Sequence, residues 1–223
     1  MKTVFLLLAL SFSTPFAFAK EATKEASGVS PEQSIQLLKN GNTRFVEGKL
    51  RKDGQSKADI ARLSTGQKPH TIVLSCSDSR VPPETVFDQK LGEIFVVRTA
   101  GEVLEPTTIG SIEYAVEHLG VQSLVVMGHT SCGAVTAAFS SLQGKDLGSP
   151  NLNKLVADIH PRISEFKGKT ASPDYESETI ANARGVARDL VARSEIIAHA
   201  VQEGKLKISI AVYYMKDGHV KFE

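Results

Sequence analysis

Three short runs of unbroken apolar residues constrain this chain most: Thr71-Ile72-Val73-Leu74, Ile94-Phe95-Val96-Val97 and Leu124-Val125-Val126-Met127. A strand with one wet face alternates apolar and polar residues, so runs without alternation predict strands covered on both faces. Between the second and third runs, Ile109, Ile112, Val116 and Leu119 recur at helical spacing; after the third, Val135, Ala138, Phe139 and Leu142 do the same. Buried strands separated by helices predict a doubly wound α/β fold with a central, mostly parallel sheet flanked by helices. Ser30-Pro31-Glu32-Gln33 reads as a helix start, with serine as cap, proline at the first position and glutamine reaching back. Further helices are expected over 58–63, 152–159, 179–192 and 195–203. Residues 207–214 form a last strand, and Asp217-Gly218 turns it into a C-terminal edge hairpin with Val220-Lys221-Phe222. No repeat and no second domain interrupt residues 30–223.

The beginning of the chain reads differently. Lys2 precedes the apolar run from Val4 to Leu10, and Ala17-Phe18-Ala19 gives a small-x-small pattern ahead of Lys20. Residues 1–19 are expected to be a signal peptide cleaved after Ala19. Residues 20–29, polar and charged, are expected to be a flexible leader, and the mature protein to be exported, most simply to a periplasm. The apolar run is too short to span a bilayer, and no later segment is long and apolar enough, so no membrane partner is expected. With 26 basic and 25 acidic side chains the charge balance gives no electrostatic case for nucleic acid.

Three residues of ligand type stand at strand ends. Cys76 follows the first strand almost directly, His129 comes just after the third, and Cys132 opens the next helix. Ligands of α/β sheets bind beyond the carboxyl ends of the strands. Two thiolates and an imidazole form a soft donor set that suits Zn²⁺ and leaves a fourth position open, as catalytic zinc requires. The helix N-terminus favours the thiolate form of Cys132. In an oxidising compartment, however, a lone pair of cysteines is by default a disulfide, and that reading stands beside the metal one. Asp78 and Arg80 alternate with Cys76 in Cys76-Ser77-Asp78-Ser79-Arg80. An arginine two residues on can hold an aspartate ionised and oriented, which a disulfide would not need.

Cys76-Ser77-Asp78-Ser79-Arg80-Val81-Pro82-Pro83-Glu84 and Gly128-His129-Thr130-Ser131-Cys132-Gly133 resemble the two signature segments of β-class carbonic anhydrases. The resemblance extends to the segment from Leu37 to Phe45, Phe95-Val96-Val97-Arg98, the segment from Ser111 to Leu119 and Ala211-Val212-Tyr213-Tyr214, and so covers the chain from about Pro31 to Phe222. It implies one zinc ion per subunit on Cys76, His129 and Cys132, with Asp78 a metal ligand only in a possible inactive state. Asp78 and Arg80 match the dyad beside the metal-bound water. Gln67 and the backbone N–H of Gly133 match substrate contacts, and Phe95, Ala100 and Tyr114 match the apolar wall of the CO2 pocket. The implied reaction is reversible hydration of CO2 to bicarbonate and a proton, by attack of a zinc-activated hydroxide whose hydrogen bond Asp78 accepts. Members form homodimers, often homotetramers, with pocket residues supplied across the interface. On the helix from Thr107, Tyr114 and His118 lie opposite the apolar stripe, where a partner subunit would cover them.

Two positions depart from the family pattern. Glu102 stands where Asn is usual after Ala100-Gly101 and is expected near the pocket mouth. Val73 occupies the place of a Trp used by one branch for bicarbonate sensing, so no such regulation is expected. No proton shuttle stands out; His70, His118, His160, His199 and His219 read as surface or packing residues. The alternative activities are a COS or CS2 hydrolase of the same family and a zinc-binding protein without turnover.

Overall fold

The first and third apolar runs become adjacent interior strands of a five-stranded sheet. The computed structural model describes residues 28–223; the expected signal peptide and nearly all of the leader lie outside the described residues. In chain order the elements are α1 (Pro31–Val46), α2 (Lys57–Leu63), β1 (Thr71–Ser75), α3 (Pro83–Val86), β2 (Ile94–Arg98), α4 (Pro106–Leu119), β3 (Ser123–His129) and α5 (Gly133–Leu142). There follow α6 (Pro150–Ile163), α7 (Glu176–Arg193), α8 (Glu195–Gln202), β4 (Lys207–Tyr213) and β5 (Val220–Phe222). The sheet order is β2-β1-β3-β4-β5, with β1 to β4 parallel and β5 antiparallel at one edge.

Each element has a local cause. Ser30 accepts from the Gln33 N–H while the Gln33 side chain accepts from the Ser30 N–H, the reciprocal cap expected for α1. α4 starts with Pro106 and stops at Gly120, whose φ of 66° closes it in a left-handed cap. β1 and β3 are buried along their whole length. Ile72, Leu74, Leu124 and Val126 face α4, α7 and α8, whereas Val73, Val125 and Met127 face Leu38, Val86, Phe87 and Val135 on the other side.

Two expectations need correction. β2 is as apolar as β1 but only half-buried along its length, because it is an edge strand with a neighbour on one side. On α4 the buried stripe is Ile109, Ile112 and Ala115; Val116 and Leu119 flank it, half-buried. α2 buries no residue, and its Ile60 is 56% exposed. Among the described residues no helix is long and apolar enough to cross a membrane.

α1 sits so close to the end of α3 that a Cβ on Gly41 would lie 1.7 Å from the Phe87 carbonyl oxygen. Helix propensity alone predicts that Gly41→Ala stabilises by about 1 kcal/mol. The close approach predicts the reverse, a loss of about 1–3 kcal/mol as α1 is pushed away. Urea unfolding decides by sign; an unchanged or higher midpoint would show that the contact is not a constraint.

Candidate active site

In this strand order the chain leaves β1 and β3 toward opposite sides of the sheet, opening a crevice at their carboxyl ends. Ser75 pairs with Met127, so Cys76 emerges beside Gly128 and His129. His129 is the last residue of β3 rather than the residue after it. Ser131 then takes φ 55°, a left-handed turn that folds the chain back so that Cys132 caps α5. The Ser131 N–H donates to the Asp174 carbonyl at 2.6 Å, which holds that turn.

The result is a compact donor set. The ligand atoms of Cys76, His129 and Cys132 all lie within 4.8 Å of one another, and all three residues are buried. His129 Nδ1 lies 2.9 Å from the Thr130 carbonyl, which can only accept, so Nδ1 carries the proton and Nε2 keeps its lone pair. Nε2 is buried and has no protein partner. Both cysteines are free, and their sulfurs are 4.0 Å apart. A disulfide needs about 2.05 Å; two thiolates on one tetrahedral zinc stand about 3.8 Å apart, given Zn–S near 2.3 Å. The residues therefore fit a zinc ion with one open position.

Protonation of the sulfur pair is lopsided. The contact between the two sulfurs lowers the Cys76 pKa, and the same contact with burial raises that of Cys132. Without metal, the thiolate preference thus falls on Cys76 rather than on the helix-capping Cys132. Cys76 Sγ also accepts from the Gly101 N–H at 3.4 Å.

Asp78 is held by Arg80 through three hydrogen bonds, from the backbone N–H and Nε to Oδ1 at 2.9 Å each and from Nη2 to Oδ2 at 2.7 Å. These bonds, the Arg80 side chain foremost, keep the carboxyl well below the usual carboxylate range. Asp78 Oδ2 lies 4.0 Å from His129 Nε2, so the carboxylate borders the open side of the triad.

The other expected residues divide. Gly133 begins α5, where its N–H has no intrahelical acceptor. Ala100 adjoins the Gly101 that reaches Cys76, in the 3-10 turn Ala100–Glu102. Phe95 and Tyr114 meet with ring centroids 6.5 Å apart, but Tyr114 is 47% exposed and stacks on His118 at 5.1 Å. Gln67 is exposed in the loop after α2, and no described contact joins it to the triad.

Glu102 is a correction. It lies not at a pocket mouth but wholly buried, with φ 55° turning it inward. Its Oε2 accepts from Asn182 Nδ2 at 3.1 Å and its Oε1 has no partner. Burial, then the charge of Cys76, pushes its pKa well above the carboxylate range. Arg98 is a residue the motif reading did not weigh. Its Nε donates to the Cys76 carbonyl at 2.9 Å and its Nη2 to the Asp78 carbonyl at 2.6 Å, bracing the whole loop. The signal was present, since a charged residue ends an apolar strand beside the Cys76 strand.

Comparisons with known proteins agree with this geometry. The family model described as carbonic anhydrase matches residues 71–220. The chain is 38% identical over 191 residues to carbonic anhydrase 2 of Mycobacterium tuberculosis, covering 85% of this chain and 91% of that one. It superposes on the Coccomyxa β-carbonic anhydrase solved with acetazolamide at TM-score 0.65 and 26% identity, over 73% of this chain and 75% of that one. A tetrameric β-carbonic anhydrase of Sordaria macrospora gives TM-score 0.62 at 25% identity, over 75% and 87% of the two chains.

Metal analysis of the purified protein should find one zinc per chain, lost on His129→Ala or Cys132→Ser. Arg98→Met should keep the stoichiometry but weaken zinc about 10- to 100-fold, because the carbonyls behind two site residues lose their donor. Chelator competition measures this, and wild-type affinity in Arg98→Met would remove Arg98 from the site.

Proposed function

The chain belongs to the β-class carbonic anhydrase family, and on that premise we propose that it catalyses the reversible hydration of CO2 to bicarbonate and a proton. The observation that carries this reading is the unpartnered His129 Nε2 beside two free sulfurs, with an ionised Asp78 4.0 Å away. Cys76, His129 and Cys132 would hold a zinc ion, which would supply Lewis acidity and lower the pKa of a bound water to about 7.

The chain's own residues do the rest. Asp78, ionised and fixed by Arg80, would accept a hydrogen bond from the attacking water and so orient it toward CO2. Arg80 keeps Asp78 ionised at every working pH, because it pulls the pKa down rather than up. The Gly133 N–H and Gln67 orient a substrate oxygen, and Phe95, Ala100 and Tyr114 exclude water from the CO2 side. Asp78 swung onto the metal would block turnover, and the Arg80 side chain, bonded to both carboxylate oxygens, would restrain it.

Assembly follows from what one copy leaves bare. The β2 edge is half-exposed, α2 buries nothing, and Leu37, Leu50, Ile60, Leu91 and Tyr114 are exposed. We propose a homodimer or homotetramer in which a second copy covers this face. Phe95 on the β2 edge and the exposed Tyr114 that it meets, together with the exposed Gln67, would then complete the pocket with the second copy. The Lys2 n-region, the apolar run and Ala17-Phe18-Ala19 support export to the periplasm with cleavage after Ala19.

Stopped-flow CO2 hydration on the zinc-loaded protein tests the function. Asp78→Asn should keep its zinc and lose on the order of 10²-fold in kcat/KM. Full activity in that variant would disprove the role of Asp78, and hydrolysis of COS without CO2 hydration would replace the substrate. Native mass spectrometry of the exported protein should give chains starting at Lys20 assembled as dimers or tetramers. A monomer, or a chain still carrying residues 1–19, would contradict the corresponding claim.

A further inference from the structure

Asn182 lies in the middle of α7, wholly buried, 80 residues beyond the turn it touches. Its amide nitrogen donates both hydrogens to that turn: one to the Gly101 carbonyl at 3.0 Å and one to Glu102 Oε2 at 3.1 Å. The N–H of the same Gly101 points at Cys76 Sγ. We propose that Asn182 is a positioning residue for the metal centre, which fixes the Gly101 N–H on the Cys76 sulfur and thereby sets the electron donation of that thiolate to zinc.

The turn needs such a clamp. Gly101 and Glu102 have φ of 67° and 55°, and the second is a conformation that an L-residue adopts only when its surroundings impose it. The turn is also hemmed in from outside. A Cβ on Gly101 would lie 2.7 Å from Ile159 Cδ1 and 2.8 Å from Ala134 Cβ, so α5 and α6 press on it directly. Packing limits how far the turn can move. Backbone and Thr99 hydrogen bonds close the turn on itself, and the two amide hydrogen bonds tie its Gly101 carbonyl and Glu102 carboxyl to α7, so that they bear on how the Gly101 N–H meets the sulfur.

Asn182 is itself oriented from behind. Arg162, whose side chain is 1% exposed, lies 3.5 Å from Asn182 Oδ1 through Nη1. Asp158 and Asp189 hold that guanidinium at 2.7 and 2.8 Å. Gly185 lacks a Cβ where one would stand 2.5 Å from the Arg162 stem. Oxygen toward the cation and nitrogen toward the turn is therefore the amide orientation that satisfies Gly101, Glu102 and Arg162 together. One turn earlier on α7, Thr179 donates to the His129 carbonyl at 3.2 Å, so a single helix face supports both ligand-bearing segments.

The chemical consequence is specific. An N–H···S bond draws charge from a metal-bound thiolate, which leaves the metal a stronger Lewis acid. Loss of that bond should therefore raise the pKa of the activating water and weaken activity at neutral pH more than at alkaline pH. A purely structural role for Asn182 would lower stability without such a shift.

The inference rests on the carbonic anhydrase reading only for its activity arm. Asn182→Leu, close in shape but without donors, should bind zinc about 10-fold more weakly by chelator competition. Its cobalt(II) form should show a shifted sulfur-to-metal charge-transfer band, and the midpoint of its kcat/KM against pH should move upward. Ile159→Val, which loosens packing on the same turn and leaves every hydrogen bond in place, should lower stability and move neither the band nor the midpoint. If Asn182→Leu does not fold, Asn182→Asp is measured in its place, since it keeps the shape and the oxygen facing Arg162. In the zinc-loaded wild-type protein the Gly101 amide should exchange slowly with deuterium. Unchanged zinc affinity, cobalt band and pH midpoint in a folded variant overturn the proposal, and so does rapid exchange at Gly101 whatever the variants do. Zinc affinity and the cobalt band do not depend on substrate, so a wild-type protein inactive toward CO2 would sink the proposed function and leave this inference to be judged on those two.

Discussion

The metal centre depends on the reversal of strand order between β1 and β3. Because the chain departs from these neighbours to opposite sides, a crevice opens at their carboxyl ends, and the Ala100–Glu102 turn after β2 reaches into it to meet Cys76. Register then does the fine placement. Ser75 opposite Met127 puts Cys76 level with the Gly128-His129 end of β3, so two ligands from distant segments start as neighbours in a ladder. The third needs only the left-handed Ser131 to come back from the helix start. α7 can seal this arrangement from behind because Gly128 has no side chain; a Cβ there would stand 2.7 Å from Thr179 Cγ2.

The same burial that shapes the triad leaves it incomplete as bare protein. His129 has committed its Nδ1 proton to a carbonyl, and its Nε2 faces no donor. A buried polar atom without a partner costs about 1–3 kcal/mol, so an ion at this point satisfies the fold as well as the chemistry. The two sulfurs are close enough to share a proton, and a metal must displace the thiol protons before both can ligate it. In an exported chain this competition has a second contestant, the oxidant, which makes prompt zinc capture part of the site's formation.

Much of this was legible in the sequence for a physical reason: unbroken apolar runs, helical stripes and strand-end ligands are all local patterns. The capping box at Ser30 and the five strands appear where the pattern places them. What was illegible depends on strand order or on distant packing. The run Ile94–Val97 looks like β1, and only its place at the sheet edge makes it half-exposed. On α4 the stripe rule favours bulky Val116 and Leu119, which pack against the core half-buried, whereas small Ala115 is wholly buried in it. Glu102 reads as a surface charge until a left-handed turn folds it inward, and nothing near Asn182 announces a partner 80 residues away.

Charge is balanced pair by pair around the triad. Arg80 offsets Asp78 at the open side. Arg162 is held by Asp158 and Asp189, with Arg193 sharing Asp158 from the outside. Glu102 is a wholly buried carboxyl with no ion pair, and burial beside Cys76 drives it toward the neutral acid. Two thiolates match the two charges of a zinc ion, and His129 enters uncharged. The centre therefore carries little net charge into a low-dielectric interior, where an unbalanced one would dominate every nearby pKa. With the long-range field nearly cancelled, the acidity of a water in the open position is left to short contacts: the Gly101 N–H on one sulfur, and the Asp78 oxygen fixed by Arg80. That is why a helix as remote in sequence as α7 can bear on the chemistry, through a single amide that turns one N–H.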